Sequence, residues 1–347
     1  MTTAVDEASL RLWETYWHPI CHRSEVANPR DFVRFDVAGE EVVAYHDGRE
    51  VVVFDNLCPH RGARIFDGST GNARFLCRYH GWSYANGKLF VGAKDNFDAD
   101  ALERLRLPTY AAEWVGDFLF ASKAPAHSLS EQLAGLGDTL ARVSRSCAGR
   151  ADLNAYRYQA DWRIAVENAL EPYHVGAIHP DSLDTLQLGP GTNSYHGENS
   201  IWATEVGNGK MARKLGRLGS MFDLEFQHQG YWSIYLFPFS MISSTFGYSY
   251  SQQNFFPSAE PERCEFISRL YAGRLREGMN PAVLESFFES SAAMNRQVFE
   301  EDHDICKRVP LRSWSPQPPA ISAKSEEKLV HFRASYRAAQ RGRWAAA

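Results

Sequence analysis

Four residues constrain this chain more than any other feature: Cys58, His60, Cys77 and His80, spaced C-x-H-x16-C-x2-H. They form two short turns, each offering one thiolate and one imidazole. Zinc sites usually pair Cys with Cys and His with His, as C-x2-4-C followed by H-x3-5-H, whereas here each turn mixes the two ligand types. With 6 Cys and 12 His in 347 positions, the spacing arises by chance on the order of 10^-4 times per chain. Mixed turns suit a two-iron cluster in which one iron keeps two thiolates and the other takes two imidazoles, an arrangement that raises the reduction potential above that of an all-Cys cluster. Zinc is the competing metal, because spacing alone does not identify one.

The turns read Cys58-Pro59-His60-Arg61-Gly62 and Cys77-Arg78-Tyr79-His80-Gly81-Trp82. They resemble the Rieske 2Fe-2S domain of ring-hydroxylating and demethylating oxygenases. Respiratory Rieske proteins carry an extra disulfide across these loops, and the matching positions here hold Ala63 and Tyr79. The resemblance is therefore to the lower-potential oxygenase type.

A length of 347 residues with 44% hydrophobic and 13% aromatic content is enough for two modest domains with real cores and excludes a disordered chain. Met1 to Leu12 shows no basic stretch followed by an apolar run, and no segment reaches the ~18 apolar residues of a spanning helix. A soluble, cytoplasmic protein is expected. Cys21, Cys147, Cys264 and Cys306 have no framework spacing and are expected to be reduced and buried. The net charge of -5 suggests neither nucleic acid nor membrane as partner.

Two apolar runs, Val42 to Tyr45 and Val51 to Phe54, flank Asp47-Gly48, and Asn86-Gly87 repeats the device after the second metal turn. Both are hairpin signals. The first third thus reads as an all-β domain with the ligands on hairpin tips, residues 1–122, opened by a short N-terminal helix. A Ser-, Ala- and Gly-rich stretch from Ser122 to Ala151 separates it from a second domain, residues 123–347.

That second domain holds His174 and His179. Two histidines and a carboxylate on one face of a mononuclear Fe(II), with the remaining positions open, define a non-heme oxygenase site. At i,i+5 the two side chains stand about 140° apart on an ideal helix, so a π-like widening or a break near Gly176 is expected. Glu171, three residues before His174, is placed to accept a hydrogen bond from the ring nitrogen that does not bind metal. Among the acidic cluster Glu300 to Asp304, periodicity selects Asp302: Val298, Asp302, Ile305 and Val309 form one inward stripe of a helix read over 282–309. Glu301 and Asp304 read as a solvated face. His303 is the less suited alternative ligand.

The pattern N-x-x-E-x-Y-H-x4-H at Asn168, Glu171, Tyr173, His174 and His179, with E-D-x-x-I at Glu301 to Ile305, resembles the catalytic domain of the same Rieske oxygenase family, alpha subunit. Many members have Asp where this chain has Glu171. The resemblance implies an α+β protein: an N-terminal all-β Rieske domain, then a helix-and-antiparallel-sheet catalytic domain of helix-grip, START-like form. Strand-like runs at Tyr231 to Phe237, Ser249 to Phe256 and Cys264 to Tyr271 agree with it. It further implies a 2Fe-2S cluster on Cys58, His60, Cys77 and His80, and Fe(II) on His174, His179 and Asp302. Glu171 would bridge His174 to His80 or His60 of a neighbouring subunit, while Asn168 and Glu167 would shape the surroundings of the iron. A homotrimer, with or without a small β subunit, would draw electrons from NAD(P)H through a reductase or ferredoxin.

The implied function is the terminal oxygenase of a multicomponent system that uses O2 to hydroxylate a small organic, aromatic substrate. The alternative within the family is an N- or O-demethylating monooxygenase acting on a quaternary amine or methoxyarene, which Glu171 in place of Asp favours weakly. From a different class, a non-catalytic Rieske electron carrier would need only the first ~120 residues. Three surface features complete the reading. Residues 187–230 are a candidate pocket lid, and their basic run Lys210, Arg213, Lys214 and Arg217 is either a site for a substrate carboxylate or a solvated face. Arg61, Arg64, Arg74 and Arg78 form a positive rim that suits an acidic electron donor or serves solubility alone. Lys324 to Trp344 reads as a basic helix packed on the catalytic domain.

Overall fold

The computed structural model describes residues 5–342. The ends of the C-terminal helix reading, Arg343 and Trp344, lie outside the described residues, as do the first four residues.

The chain opens with helix α1 (Glu7–Thr15), capped by Asp6, whose carboxylate accepts from the Ser9 amide at 3.0 Å. Strand β1 (His18–His22) follows. The hairpin signals then resolve into β2 (Asp31–Val37), β3 (Glu40–His46), β4 (Val51–Asp55) and β5 (Thr70–Asn72), in sheet order β4-β3-β2-β5. A small meander, β6 (Phe75–Leu76), β7 (Ser83–Ala85) and β8 (Lys88–Phe90), carries the second turn. Asn86 and Gly87 both have positive φ, +49° and +73°, the conformation a two-residue hairpin turn demands. After helix α2 (Ala99–Arg104), strands β9 (Ala111–Val115) and β10 (Phe118–Ser122) pair with β1 as β1-β10-β9.

The stretch from Ser122 to Ala151 contains helices α3 (Leu129–Leu133) and α4 (Gly137–Arg145) and the start of β11 (Cys147–Tyr158). Leu129, Leu133, Leu136, Leu140 and Val143 are all buried. They pack on one face of a seven-stranded antiparallel sheet, ordered β11-β17-β16-β15-β14-β13-β12. Its other strands are β12 (Thr192–His196), β13 (Asn199–Thr204), β14 (Tyr231–Leu236), β15 (Ser240–Thr245), β16 (Ser249–Pro257) and β17 (Cys264–Gly273). The opposite face carries α5 (Trp162–Leu170), the single turn α6 (Val175–Ile178), α8 (Glu285–Cys306) and α9 (Glu327–Gln340), while α7 (Gly209–Leu218) lies at the sheet margin. Strand alternation divides the work: Trp232, Ile234 and Leu236 face α3 and α4, whereas Tyr235 faces the helical side.

The lid reading of 187–230 is corrected. Residues 192–204 are two strands of the main sheet, held by cross-strand pairs such as Ile201 with Ile234. Residues 207–230, with α7 at their centre, stand apart from the sheet. Helix α7 sets Met211, Leu215 and Leu218 partly inward and leaves Lys210, Arg213, Lys214 and Arg217 exposed, a solvated face. One apolar core runs through both halves of the chain: Phe256 packs on Trp13 and Phe35, with ring centroids 5.5 and 5.4 Å apart. Among the described residues no helix is long and apolar enough to cross a membrane.

Candidate redox and metal centres

The two cysteine turns are copies of one loop. In each, the Cys amide donates to the carbonyl five residues on (Ala63, 2.8 Å; Trp82, 2.7 Å), and the glycine four residues on donates back to the Cys carbonyl (2.9 Å in both). Gly62 and Gly81 have φ of +69° and +71°, and a Cβ at either would meet nothing within 4 Å. Glycine is needed there for its backbone freedom rather than for space. The loops place Cys58 and Cys77 in the domain core beside Phe54, Phe75 and Trp82. Burial pushes the Cys58 thiol up; the backbone N–H of His60 lowers it in part, and the facing Cys77 thiol raises it again. His60 stacks on Trp82 at 4.5 Å and lies 4.7 Å from the His80 ring, which sits at the surface against Tyr79. The buried Nδ1 of His60 has no hydrogen-bond partner in the chain. Two facing thiols, two adjacent imidazoles and an orphaned ring nitrogen are what a bridging metal cluster would complete.

The positive rim is partly neutralised. Arg64 pairs with Glu41 at 2.5 Å, Arg78 with Asp67 at 3.5 Å, and Arg61 lies over the Tyr79 ring.

The second centre is built from α5, α6 and α8. Asp161 starts α5, and Pro172 dictates its end, because the residue before a proline avoids the helical region and Glu171 adopts φ −112°, ψ 136°. The expected break near Gly176 therefore falls earlier, at Glu171 to Tyr173. Gly176 sits inside the ordinary helical turn of α6, with His174 as its N-cap and His179 as its C-cap. A single helical turn that leaves helical geometry at His179 (φ −117°, ψ 38°), rather than a π-widening, brings both rings to one point. His174, His179 and Asp302 present ligand atoms that all lie within 4.8 Å of one another. The Asp302 Oδ1 is 3.1 Å from Nε2 of His179 and 3.7 Å from Nε2 of His174, and it accepts from the Asn168 side-chain amide at 2.7 Å.

Both rings are turned the same way. His174 Nδ1 donates to Glu171 Oε1, whose other oxygen accepts the amides of Tyr173 (2.5 Å) and His174 (3.1 Å). His179 Nδ1 donates to Glu301 Oε2 at 2.6 Å, and Ser182 and Gln297 hold that carboxylate at 2.6 and 2.9 Å. Each Nε2 lone pair is thereby left free toward Asp302, the tautomer a metal ligand requires. Burial works against charge on His179, but Asp302 and then Glu301 outweigh it and raise its pKa.

Glu301 is thus corrected from solvated face to orienting partner; its adjacency to Asp302 was the available signal. Asp304 is exposed, paired with Lys307. Glu167 is also corrected: it binds Arg333 at 2.5 Å and the Trp314 indole at 2.8 Å, fastening α9 rather than approaching the centre. The inward stripe of α8 is deepest at Phe299 and Cys306, and Val309, past the helix end, is exposed. His303 turns away, accepting the Gln159 amide at 2.8 Å and stacking on Tyr158. Cys21, Cys147, Cys264 and Cys306 are free and buried, as expected.

A helix-and-sheet protein with a thiolate-imidazole loop pair and a two-histidine, one-carboxylate centre defines a class, the two-centre iron oxygenases. Residues 16–96 match the Rieske 2Fe-2S domain family, and residues 147–341 match the family described as ring hydroxylating alpha subunit, catalytic domain. The chain belongs to the ring-hydroxylating alpha subunit family and carries its Rieske 2Fe-2S domain and its mononuclear iron domain.

The chain is 32% identical over 244 residues to the carnitine monooxygenase oxygenase subunit of Escherichia coli K12, covering 66% of this chain and 61% of that protein. It is 32% identical over 191 residues to the 2-halobenzoate 1,2-dioxygenase large subunit of Burkholderia cepacia, covering 50% and 41%. The match thus spans less than two thirds of either relative. Among solved structures, a quaternary ammonium Rieske monooxygenase with L-carnitine superposes with TM-score 0.76 at 20% identity, over 97% of this chain and 91% of that one. Naphthalene 1,2-dioxygenase from Rhodococcus sp. gives 0.67 at 18%, over 95% and 90%. At these identities the superpositions establish the fold.

Proposed function

We propose that this chain is the terminal oxygenase of a multicomponent Rieske system, acting on a small organic substrate beside a mononuclear iron. One observation carries the reading: His174, His179 and Asp302 converge within 4.8 Å, each imidazole held by a glutamate so that its Nε2 faces the gap. Cys58 and Cys77 would hold one iron of the cluster, and His60 and His80 the other. When bound, the cluster supplies single electrons and the mononuclear iron supplies the place where O2 is reduced.

The chain's own residues do the rest. Asn168 fixes the Asp302 carboxylate through Oδ1, the same oxygen that faces the Nε2 atoms of His174 and His179. The adjoining cavity is walled by Leu183, Leu188, Trp202, Tyr231 and Met241, which keep water from a reactive centre and suit an apolar substrate body. Glu171, fixed on His174, lies next to Tyr173, which is 72% exposed, while Tyr79, stacked on His80, is exposed, as are Leu57 and Leu76, which precede the two cluster cysteines. Those two surfaces support a subunit contact in which Glu171 couples His174 to the cluster of the next chain, as in a homotrimer. A ferredoxin or NAD(P)H-dependent reductase would be the electron source and the cytoplasm the setting.

Hydroxylation is the favoured outcome. The second reading, oxidative demethylation, rests on the carnitine relative and on the aromatic ring of Tyr231 in the cavity lining, which suits a cationic group. Iron analysis tests the oxygenase reading against a bare electron carrier: about three irons per chain supports it, and about two overturns it. Oxygenated products from a peroxide-driven substrate screen, read by mass, then separate hydroxylation from demethylation.

A further inference from the structure

One ionisable side chain in the cavity is unused by the centre. Lys328 is 3% exposed, yet it lines the same cavity as His174, His179 and Asp302. No carboxylate among the described residues lies within ion-pair distance of its ammonium. The nearest influence, Glu171, has both oxygens committed to His174 and the backbone. What the ammonium does meet is the face of Trp202, 5.6 Å from the ring centroid.

This position is unfavourable on two counts. A buried cation without a counter-ion carries a desolvation cost that the interior does not return, and burial accordingly holds the Lys328 pKa down at about 7, with Glu171 acting in the opposite direction. Lys328 is also the second residue of α9, where the positive end of the helix dipole repels a cation. On the helix it shares the buried face of Phe332, four residues on, so an apolar side chain would pack there at lower cost. Nothing in the folding of α9 asks for a lysine.

We propose that Lys328 anchors the substrate, and that the substrate is a small carboxylate whose charge completes the pair. The proposal rests on the oxygenase reading for the identity of the cavity, and on Lys328 for the substrate class. Ser233, Tyr231 and Gln253 in the same lining supply neutral donors for a carboxylate oxygen. The substrate body then lies along Trp202 toward the metal ligands. The exposed basic residues of α7 are absent from this lining, so the anchor is the buried lysine and not the sequence's most basic run.

The test is calorimetric binding to the anaerobic holoenzyme, without turnover, using two matched pairs: benzoate beside benzamide, and glycine betaine beside choline. The wild type is expected to bind at least one carboxylate about tenfold or more tightly than its carboxylate-free partner. Lys328→Met should erase that preference, and Lys328→Arg should keep part of it, with the cluster absorption band and the melting temperature of each variant confirming the fold. A wild type that prefers neither carboxylate, or a preference that survives in Lys328→Met, overturns the proposal. Iron content of the same preparations keeps the two readings separate: a carboxylate preference erased in Lys328→Met by a protein with two irons would leave the anchor standing and remove the oxygenase.

Discussion

Glu301 and Asp302, consecutive residues of α8, address opposite nitrogens of one imidazole: Glu301 accepts from Nδ1 of His179 at 2.6 Å, and Asp302 lies 3.1 Å from Nε2. The side chain that orients the ring and the side chain that would share its metal thus come from one helical step. A small rotation of α8 would disturb both, and Ser182 and Gln297 brace Glu301 against it.

Glu301→Gln should therefore weaken iron at the mononuclear site by about 10- to 100-fold, the usual effect of removing a ligand's orienting carboxylate. Metal analysis should show iron falling from about three toward about two per chain. The cluster's visible spectrum should stay unchanged. Full iron occupancy in the variant at limiting iron would show that Glu301 is a bystander.

Glu171→Gln should separate electron entry from chemistry. Reduction of the cluster by an external donor is expected to proceed as in the wild type, while product formed in a single turnover of pre-reduced protein drops by about 10- to 100-fold. Unchanged product yield would remove Glu171 from the path between the centres.

Glu167 makes the opposite prediction. It and Arg333 are each only 13% exposed, so Glu167→Ala leaves the Trp314 indole without its acceptor and the Arg333 guanidinium without its counter-ion, with only the Gln317 carbonyl left to it. The expected cost is about 3 kcal/mol of stability, read as a lower urea midpoint, with the iron content of the folded protein unaltered. Loss of iron without loss of stability would restore Glu167 to the surroundings of the metal.

Acid should destabilise the fold through histidines far from either centre. Burial lowers the pKa of His18 to about 3 and of His228 to about 4, and burial also lowers those of His22 and His331. The unfolded chain takes up these protons near pH 6.5 while the folded chain refuses them, so stability falls as pH drops below that value, by up to about 1.4 kcal/mol per pH unit for each such ring. His18 is stacked against Trp13 and Phe239. In His18→Phe, the fall in urea midpoint between about pH 7 and about pH 5 should be shallower than in the wild type. Equal slopes would assign the acid sensitivity to other groups.

Much of this protein is legible in its residues, because each cysteine turn, like the histidine pair, is local in sequence. The two cysteine turns are each six residues long, and their glycines at matching positions encode the same loop twice. Asn-Gly and Asp-Gly fix hairpins through backbone preference alone. Pro172 marks the end of α5 by a steric rule that acts on its immediate neighbour, although the His174 to His179 spacing pointed instead to Gly176.

What local sequence could not decide is which polar side chain meets which. Asp302 is 123 residues from His179, and the direction of Glu301 depends on where α6 crosses α8. Periodicity on an isolated helix assigns Glu301 to solvent, because it knows nothing of a partner arriving from another element. Glu167 and Lys328 were misplaced or unnoticed for the same reason: their burial is set by the docking of α9 against α5 and the sheet. Sequence by itself determined the metal-binding chemistry and the two-part architecture. Tertiary packing decided which carboxylate orients each imidazole and left one lysine facing the cavity without a counter-ion.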